Sequence, residues 1–378
     1  MKYLDEFRDP ALAQGILGRI RHTATRPWAI MEVCGGQTHS LLRHGIEQEL
    51  TGVVELLHGP GCPVCVTPAA QIDIACQLAL RPGVILASFG DMLRVPGNRG
   101  SLLNAKGQGG RVRLVYSPLD AVELAKQNPT DEVVFFAVGF ETTVPTTALA
   151  VLQADRLGLT NFCVLTAHVR VQPAMEAIAS DPACRVNGFL AAGHVCTVAG
   201  FETYDEFTAR YNMPVVVTGF EPVDLLEGIH ECVRLLEAGS NVVVNQYERS
   251  VRSAGNETAR QLIDRVYQIA DRPWRGLGVI PRGGLVMRPE WSRFDATTRF
   301  GEFADCVGGE HDCRSGDVLS GRIRPPECAQ FGIGCTPETP MGAPMVSSEG
   351  ACAAYYRYAR QPAGLESGTV AESRLGGL

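Results

Sequence analysis

A chain of 378 residues, 45% of them apolar, has length and hydrophobic content for two or three domains with buried cores. Its formal net charge of −7 argues against nucleic acid as the main partner, the opening MKYLDEFRDP has no apolar leader, and no apolar run reaches membrane-span length, so a cytoplasmic location with no membrane contact is expected. Thirteen cysteines is an odd count for such a compartment, where thiols stay reduced, and it directs attention to metal binding or redox chemistry rather than to a disulfide framework.

The first strand-like run, IMEVCGGQTH (30–39), ends in Cys34 and two glycines, with His39 just beyond. GPGCPVC (59–65) follows, its Cys62 and Cys65 wrapped in Gly and Pro so that the two sulfurs can meet with little strain. A Cys-x-x-Cys beside βα units suits a thioredoxin-like redox pair, and the same spacing clips a soft metal. A two-cysteine zinc clip or an idle thiol pair is the plain alternative, although no second pair at similar spacing completes a zinc site. Cys34 supplies a third thiolate that neither feature makes alone, with His39 to orient or protonate it.

Next come three runs of one design, an apolar stretch, a glycine turn and a helix-like stretch: VILASFGDMLRVPG (84–97), VVFFAVGFETTVPTTALAVLQ (133–153) and VVVTGFEPVDLLEGIHECV (215–233). NFCVLTAHV (161–169), NGFLAAGHV (187–195) and SNVVVNQYE (240–248) are also strand-like. Apolar runs alternating with helical periods predict βαβ units and a parallel sheet. The repeated Gly-Phe-Glu at 139–141 and 219–221 marks either two related halves or the shared needs of a β-to-α turn. Asp91, Glu141, His168, His194 and Glu221 fall at strand ends, where open α/β sheets bind ligands. The same positions also suit acids that cap helices and histidines that fill polar niches of the core.

Beyond about residue 290 the periodicity fades, and 305–352 holds five cysteines among many Gly and Pro. Cys313, Cys328, Cys335 and Cys352 are separated by 14, 6 and 16 residues. Four thiolates in such a wrapping fit a [4Fe–4S] cluster, with a four-cysteine zinc site as the competitor and Cys306 as a spare thiol nearby. Cys76, Cys163, Cys184, Cys196 and Cys232 stand in apolar or helical contexts that suit packing. The tail after Tyr358 has no apolar pattern and is expected to be mobile.

Taken together, CGGQTH, GPGCPVC, FGDMLRVPG, GFETT, GFEP, NQYERSVR and GRIRPPECAQFGIGCTPETPMGAPMVSSEGACAAYYRY resemble the HypD family of hydrogenase maturation proteins, from about residue 28 to about 358. The resemblance implies an α/β fold: two similar parallel-sheet βαβ domains plus a loop-rich C-terminal iron–sulfur cluster domain. These are placed at 1–125, 126–245 and 246–358, the last packing its C-terminal end back on the first domain, with 359–378 as a disordered tail. It further implies a scaffold on which the Fe(CN)2CO unit of [NiFe]-hydrogenases is assembled. The scaffold works with a HypC-type chaperone, receives cyanide from a HypE-type donor, and serves the hydrogenase large-subunit maturation machinery. Cys34, Cys62 and Cys65 fall on the family's scaffold cysteines, and Cys313, Cys328, Cys335 and Cys352 on its [4Fe–4S] ligands.

Many members have CGGHTH where this chain has Gln37, so a proton-transfer or ligand role is not carried over to that position, while His39 remains. On this reading Cys34 holds the transient Fe(CN)2CO iron and Cys62 and Cys65 cycle between dithiol and disulfide. Asp91, Glu141, His168 and His194 orient ligands or move protons. The turn amides of Gly35, Gly36 and around Gly61 are expected to lower thiolate pKa values. A thiol–disulfide oxidoreductase with an iron–sulfur relay, and a purely structural zinc protein, are the rival classes.

Overall fold

The computed structural model describes residues 5–301, 303–304 and 313–359; Cys306 and the tail 360–378 lie outside them. Nine parallel strands follow in chain order: β1 (Trp28–Glu32), β2 (Val54–His58), β3 (Val84–Ser88), β4 (Val112–Leu114), β5 (Glu132–Gly139), β6 (Phe162–His168), β7 (Gly188–Ala192), β8 (Val215–Thr218) and β9 (Val243–Asn245). They form two sheets, one of order β2-β1-β7-β8-β9 and one of order β4-β3-β5-β6, and every neighbouring pair is parallel. Helices on both faces explain why the central strands read as unbroken apolar runs. In β1 and β8 alternate residues divide between two cores: Ala29, Met31, Val215 and Val217 face one, Trp28, Ile30 and Val216 the other.

The α/β class and its two parallel sheets are as the runs predict, but the division at residue 125 is not. β3 and β4, assigned to a first domain, pair with β5 and β6 of the second, whereas β1 pairs with β7. The chain leaves the first sheet after β2, builds the second one whole, and returns. Periodicity reports that a strand exists and which faces are buried; it does not name the neighbour. Each sheet nevertheless has the same doubly wound sense, with its order reversing between β1 and β7 in one and between β3 and β5 in the other.

The C-terminal region is loop-rich, as its composition suggests beyond about residue 290, and 246–358 adds regular structure ahead of that stretch. It contains an antiparallel hairpin of β10 (Tyr267–Trp274) and β11 (Gly278–Met287). Val169, just past β6, bridges to Gly284 of that hairpin. A last helix, Ala351–Tyr358, packs on the helix Gly35–Arg43, with Leu42, Ala354 and Tyr355 buried between them. Among the described residues no helix is long and apolar enough to cross a membrane.

Candidate metal and redox centre

Cys34 stands just past the end of β1, beside the β1–β7 switch point. It caps the helix Gly35–Arg43 with extended backbone, φ −147° and ψ 121°. The GPG turn after β2 lies directly against it: a Cβ on Gly61 would sit 2.2 Å from the Cys34 nitrogen, so only glycine fits. Gly35 N–H donates to the Gly61 carbonyl at 3.0 Å, which ties the two cysteine loops together. A Cβ on Gly35 would likewise meet the Glu349 carbonyl at 2.4 Å, so the segment 347–350 lies over the same turn. Asp91 accepts a hydrogen bond from Ser347 at 2.9 Å and so fastens that segment from the β3 side.

Below Cys34 lies a buried polar chain. The Glu32 carboxylate, 0% exposed, accepts from Cys34 N–H at 2.8 Å, from the Thr38 hydroxyl, and from His58 Nδ1 at 2.8 Å. His58 Nε2 lies 3.2 Å from the Tyr355 hydroxyl, which in turn donates to Glu47 at 2.5 Å. Both ring nitrogens therefore donate, as an imidazolium does. Burial disfavours the charged ring, but the hydrogen bond and charge of Glu32, with help from Glu47, outweigh it and raise the His58 pKa.

Above Cys34, the sulfur is 3.8 Å from both ring nitrogens of His194, whose ring stacks on Phe220 at 5.0 Å and 12°. Burial lowers the His194 pKa, so its imidazole is neutral near neutral pH and can accept a proton. Beyond Phe220 an open cavity of about 510 Å³ is lined by Glu221, Asp224, Tyr247, Arg249 and Ser250. Arg249 pairs with Asp224 through both guanidinium nitrogens, at 2.7 and 2.5 Å, and Arg8 pairs with Glu221.

Cys62 and Cys65 are 3% and 0% exposed. Cys62 caps the single helical turn Pro63–Val66, its sulfur accepting from Cys65 N–H at 3.3 Å. The Cys65 thiol is pushed up by burial, by its hydrogen bond with Cys62, and by the nearby charges of Cys62, Cys352 and Glu349. Cys34 is also pushed up: burial dominates over the amides of Gln37 and Gly36, which pull the other way. The expected lowering by turn amides is thus overturned by desolvation at both positions. These thiols stay protonated until a metal displaces the proton.

Other expectations divide. His39 does not face Cys34; it lies 3.2 Å from the Tyr358 hydroxyl, edge-on to that ring, and the histidine beside the thiol is His194. His168 is a core residue of the second sheet, packed edge-on to Tyr267 and held near pKa 3 by burial and Arg272. Glu141 accepts from Val171 N–H at 3.1 Å and faces a separate cavity with Arg170 and Tyr204. Gln37, buried, donates to the carbonyls of Ala191 and Thr218 at 3.3 and 3.4 Å and pins its helix to the ends of β7 and β8. Glu32, His58 and Tyr355 escape a motif reading. The one signal is a carboxylate inside an apolar run, where a charge survives only with partners.

Cys313, Cys328, Cys335 and Cys352 line one small cavity walled by Val318, Phe331, Met341 and Met345. The Cys352 thiol is pushed up by burial and then by the charges of the other three. Met341 N–H points at the Cys335 sulfur at 3.4 Å. Among the described residues, no three His, Cys, Asp or Glu side chains converge as they do around a single ion. Four thiolates on one zinc stand about 4 Å apart, from Zn–S bonds of ~2.3 Å. A cubane puts an iron at each cysteine and spreads the sulfurs wider. Donor chemistry, apolar walls and the amide on Cys335 fit a [4Fe–4S] cluster.

A Cβ on Gly342 would lie 2.2 Å from the Cys313 sulfur. Gly342→Ala should therefore displace the Cys313 sulfur and, if the four cysteines hold a cluster, weaken its binding about 10–100-fold, the range for disturbed ligand support. Iron and acid-labile sulfide per chain after anaerobic reconstitution measure this. Full, stable occupancy would remove Cys313 from the ligand set.

The family model described as "HypD: Hydrogenase formation hypA family" matches residues 11–359. The chain is 48% identical over 372 residues to "Hydrogenase maturation factor HypD" of Rhodobacter capsulatus, covering 95% of this chain and 98% of the relative. It is 45% identical over 369 residues to the protein of that name from Escherichia coli (strain K12), covering 96% and 99%. With a buried cysteine at the switch point of one sheet, a Cys-x-x-Cys turn against it and four further cysteines around one cavity, the chain belongs to the HypD family of hydrogenase maturation factors.

Proposed function

We propose that this protein is the scaffold on which a hydrogenase iron acquires its diatomic ligands, with the iron held as cargo by the Cys34 thiolate and a cysteine of a HypC-type chaperone. The observation that carries the reading is the junction at Cys34: a buried cysteine sulfur, a histidine ring at 3.8 Å and a Cys-x-x-Cys turn packed on its backbone. Thiolate is a soft donor suited to the low-spin iron that cyanide and carbonyl ligands favour. His194 accepts the Cys34 proton as the sulfur binds metal, and Glu32 and Gln37 hold the turn in place meanwhile. The cavity beyond Phe220 is the approach for the partner's cysteine and for cyanide from a HypE-type donor.

A [4Fe–4S] cluster on Cys313, Cys328, Cys335 and Cys352 supplies electrons one at a time. Cys62 and Cys65 would close to a disulfide by releasing two protons and passing two electrons, one at a time, through the cluster to an external one-electron carrier, and would reopen by the reverse. The charge of Cys352 is felt at Cys65, which supports electron exchange between the two groups. The burial of both Cys62 and Cys65 favours this internal role over an oxidoreductase acting on protein disulfides, which needs an exposed attacking thiol.

The test is anaerobic purification alone and with the HypC-type partner, under conditions that supply all ligand-forming proteins. Two cyanide bands and one carbonyl band in the infrared, with four cluster irons per chain, are expected. A brown protein without those bands would favour the oxidoreductase, and a colourless one with one zinc would overturn both readings.

A further inference from the structure

The tip of the β10–β11 hairpin lies between the two cysteine groups. Arg275 N–H donates to the Val66 carbonyl at 2.8 Å, its Nε to the Thr67 carbonyl at 2.9 Å, and its Nη2 to the Pro96 carbonyl at 2.6 Å. Val66 ends the helical turn that carries Cys65, and Thr67 caps it. The next residue, Gly276, has φ +78°, and a Cβ there would lie 2.7 Å from the Gly316 Cα, three residues past Cys313. One hairpin turn is thus fastened on one side to the Cys-x-x-Cys loop and packed on the other against a cluster-cysteine segment. Arg275 and Cys313 face the same cavity of about 190 Å³, together with Met341 and Gly342.

The geometry points to Arg275 as a positioning residue of the redox relay, one that holds the Cys62–Cys65 loop against the four-cysteine site and favours the reduced state of that site through its fixed positive charge. This rests on the cluster reading given above. A guanidinium stays charged at any working pH, and its fork is fully specified by the Thr67 and Pro96 carbonyls. The two carbonyls that accept from the guanidinium neutralise none of its charge. Burial lowers the Arg275 pKa from its very high ordinary value, and the Asp73 carboxylate, with the Cys313 and Cys65 sulfurs once deprotonated, opposes that lowering. Adding one electron to a four-thiolate cluster makes it one unit more negative without making or breaking a bond. A buried cation that lines the same cavity as Cys313 therefore raises the reduction potential.

The experiment is an EPR-monitored redox titration of the reconstituted full chain, with dithionite as reductant and ferricyanide as oxidant, in native protein, Arg275→Lys and Arg275→Gln. Gln is expected to make reduction at least tenfold harder, which is ~59 mV for one electron. Lys, which keeps the charge but not the fork, is expected to stay within about threefold of native, ~28 mV on the same scale. A purely structural latch would shift both alike or neither. A Gln variant with native potential, or a Lys variant shifted as far as Gln, overturns the proposal. Should Gln fail to take up a cluster, the Lys variant decides alone, and a tenfold shift there counts against it. A native protein without any cluster would instead sink the reading of the four cysteines, a different failure from an unshifted Gln variant.

Discussion

Cys34→Ala is expected to give a folded, brown protein that shows no cyanide or carbonyl infrared band when purified with its HypC-type partner. The side chain is small and its neighbours are rigid, so losing one sulfur costs about 1 kcal/mol of stability, within the ordinary range for a buried truncation. The four cluster cysteines are on other segments and keep their geometry. What is lost is the sulfur 3.8 Å from His194 and with it, on the scaffold reading, more than 100-fold in cargo retention, about 3 kcal/mol or more. Cys62→Ala separates the two roles: if Cys34 alone holds iron, that variant still binds iron but fails to cycle. Native band intensities in Cys34→Ala, with iron and partner at normal stoichiometry, would show that the cargo sits elsewhere.

His58→Leu is expected to be the most destabilising single change near the site. It leaves the Glu32 carboxylate buried without its cationic partner, and breaking a buried pair from one side costs about 3–5 kcal/mol. Glu32 also holds Cys34 N–H and Thr38, so the loss spreads to the Cys34 turn. The folded pKa of His58 lies above its unfolded value near 6.5. Its charge therefore stabilises the native state fully below about pH 6.5, and that contribution fades as pH rises through the folded pKa. His58→Gln keeps a donor without a charge and should lose less, chiefly at the lower pH. Urea unfolding of the three proteins between pH 6 and 9 checks the magnitude and the sign. A native-to-Gln gap that widens with pH would contradict a protonated His58.

How much of this was written plainly in the sequence depends on separation along the chain. Strands such as VILAS and FCVLTAH are apolar throughout because both of their faces are covered, and that local fact is visible in seven residues or fewer. Cys34, Cys62, Cys65 and the four later cysteines announce themselves by residue type. His194 is also legible, as a histidine at the end of a strand. His39 misleads because helix geometry turns it toward Tyr358, 319 residues away, a partner nothing in CGGQTH implies. Glu32 is silent for a similar reason: its counter-ion is 26 residues on, and that ion's own partner, Tyr355, lies 297 residues beyond His58. Desolvation, which reverses the expected sign at Cys34 and Cys65, is a property of the packed interior and has no local signature.

The interleaving of the two sheets sets an order of manufacture. The second sheet is one unbroken stretch from β3 to β6, able to close as soon as it is synthesised. The first waits with β1 and β2 in hand for β7, 158 residues after Ala29 at the nearest hydrogen bond. A growing chain therefore carries Cys34, Cys62 and Cys65 through the whole synthesis of the second sheet before His194 exists to face the first of them. The buried chain below Cys34 is complete only when Tyr355 has emerged. Iron captured earlier would meet loose, hydrated thiols with no fixed geometry. The topology thus completes the Cys34 junction only after both sheets and the Tyr355 helix have been made, a form of quality control written into strand order.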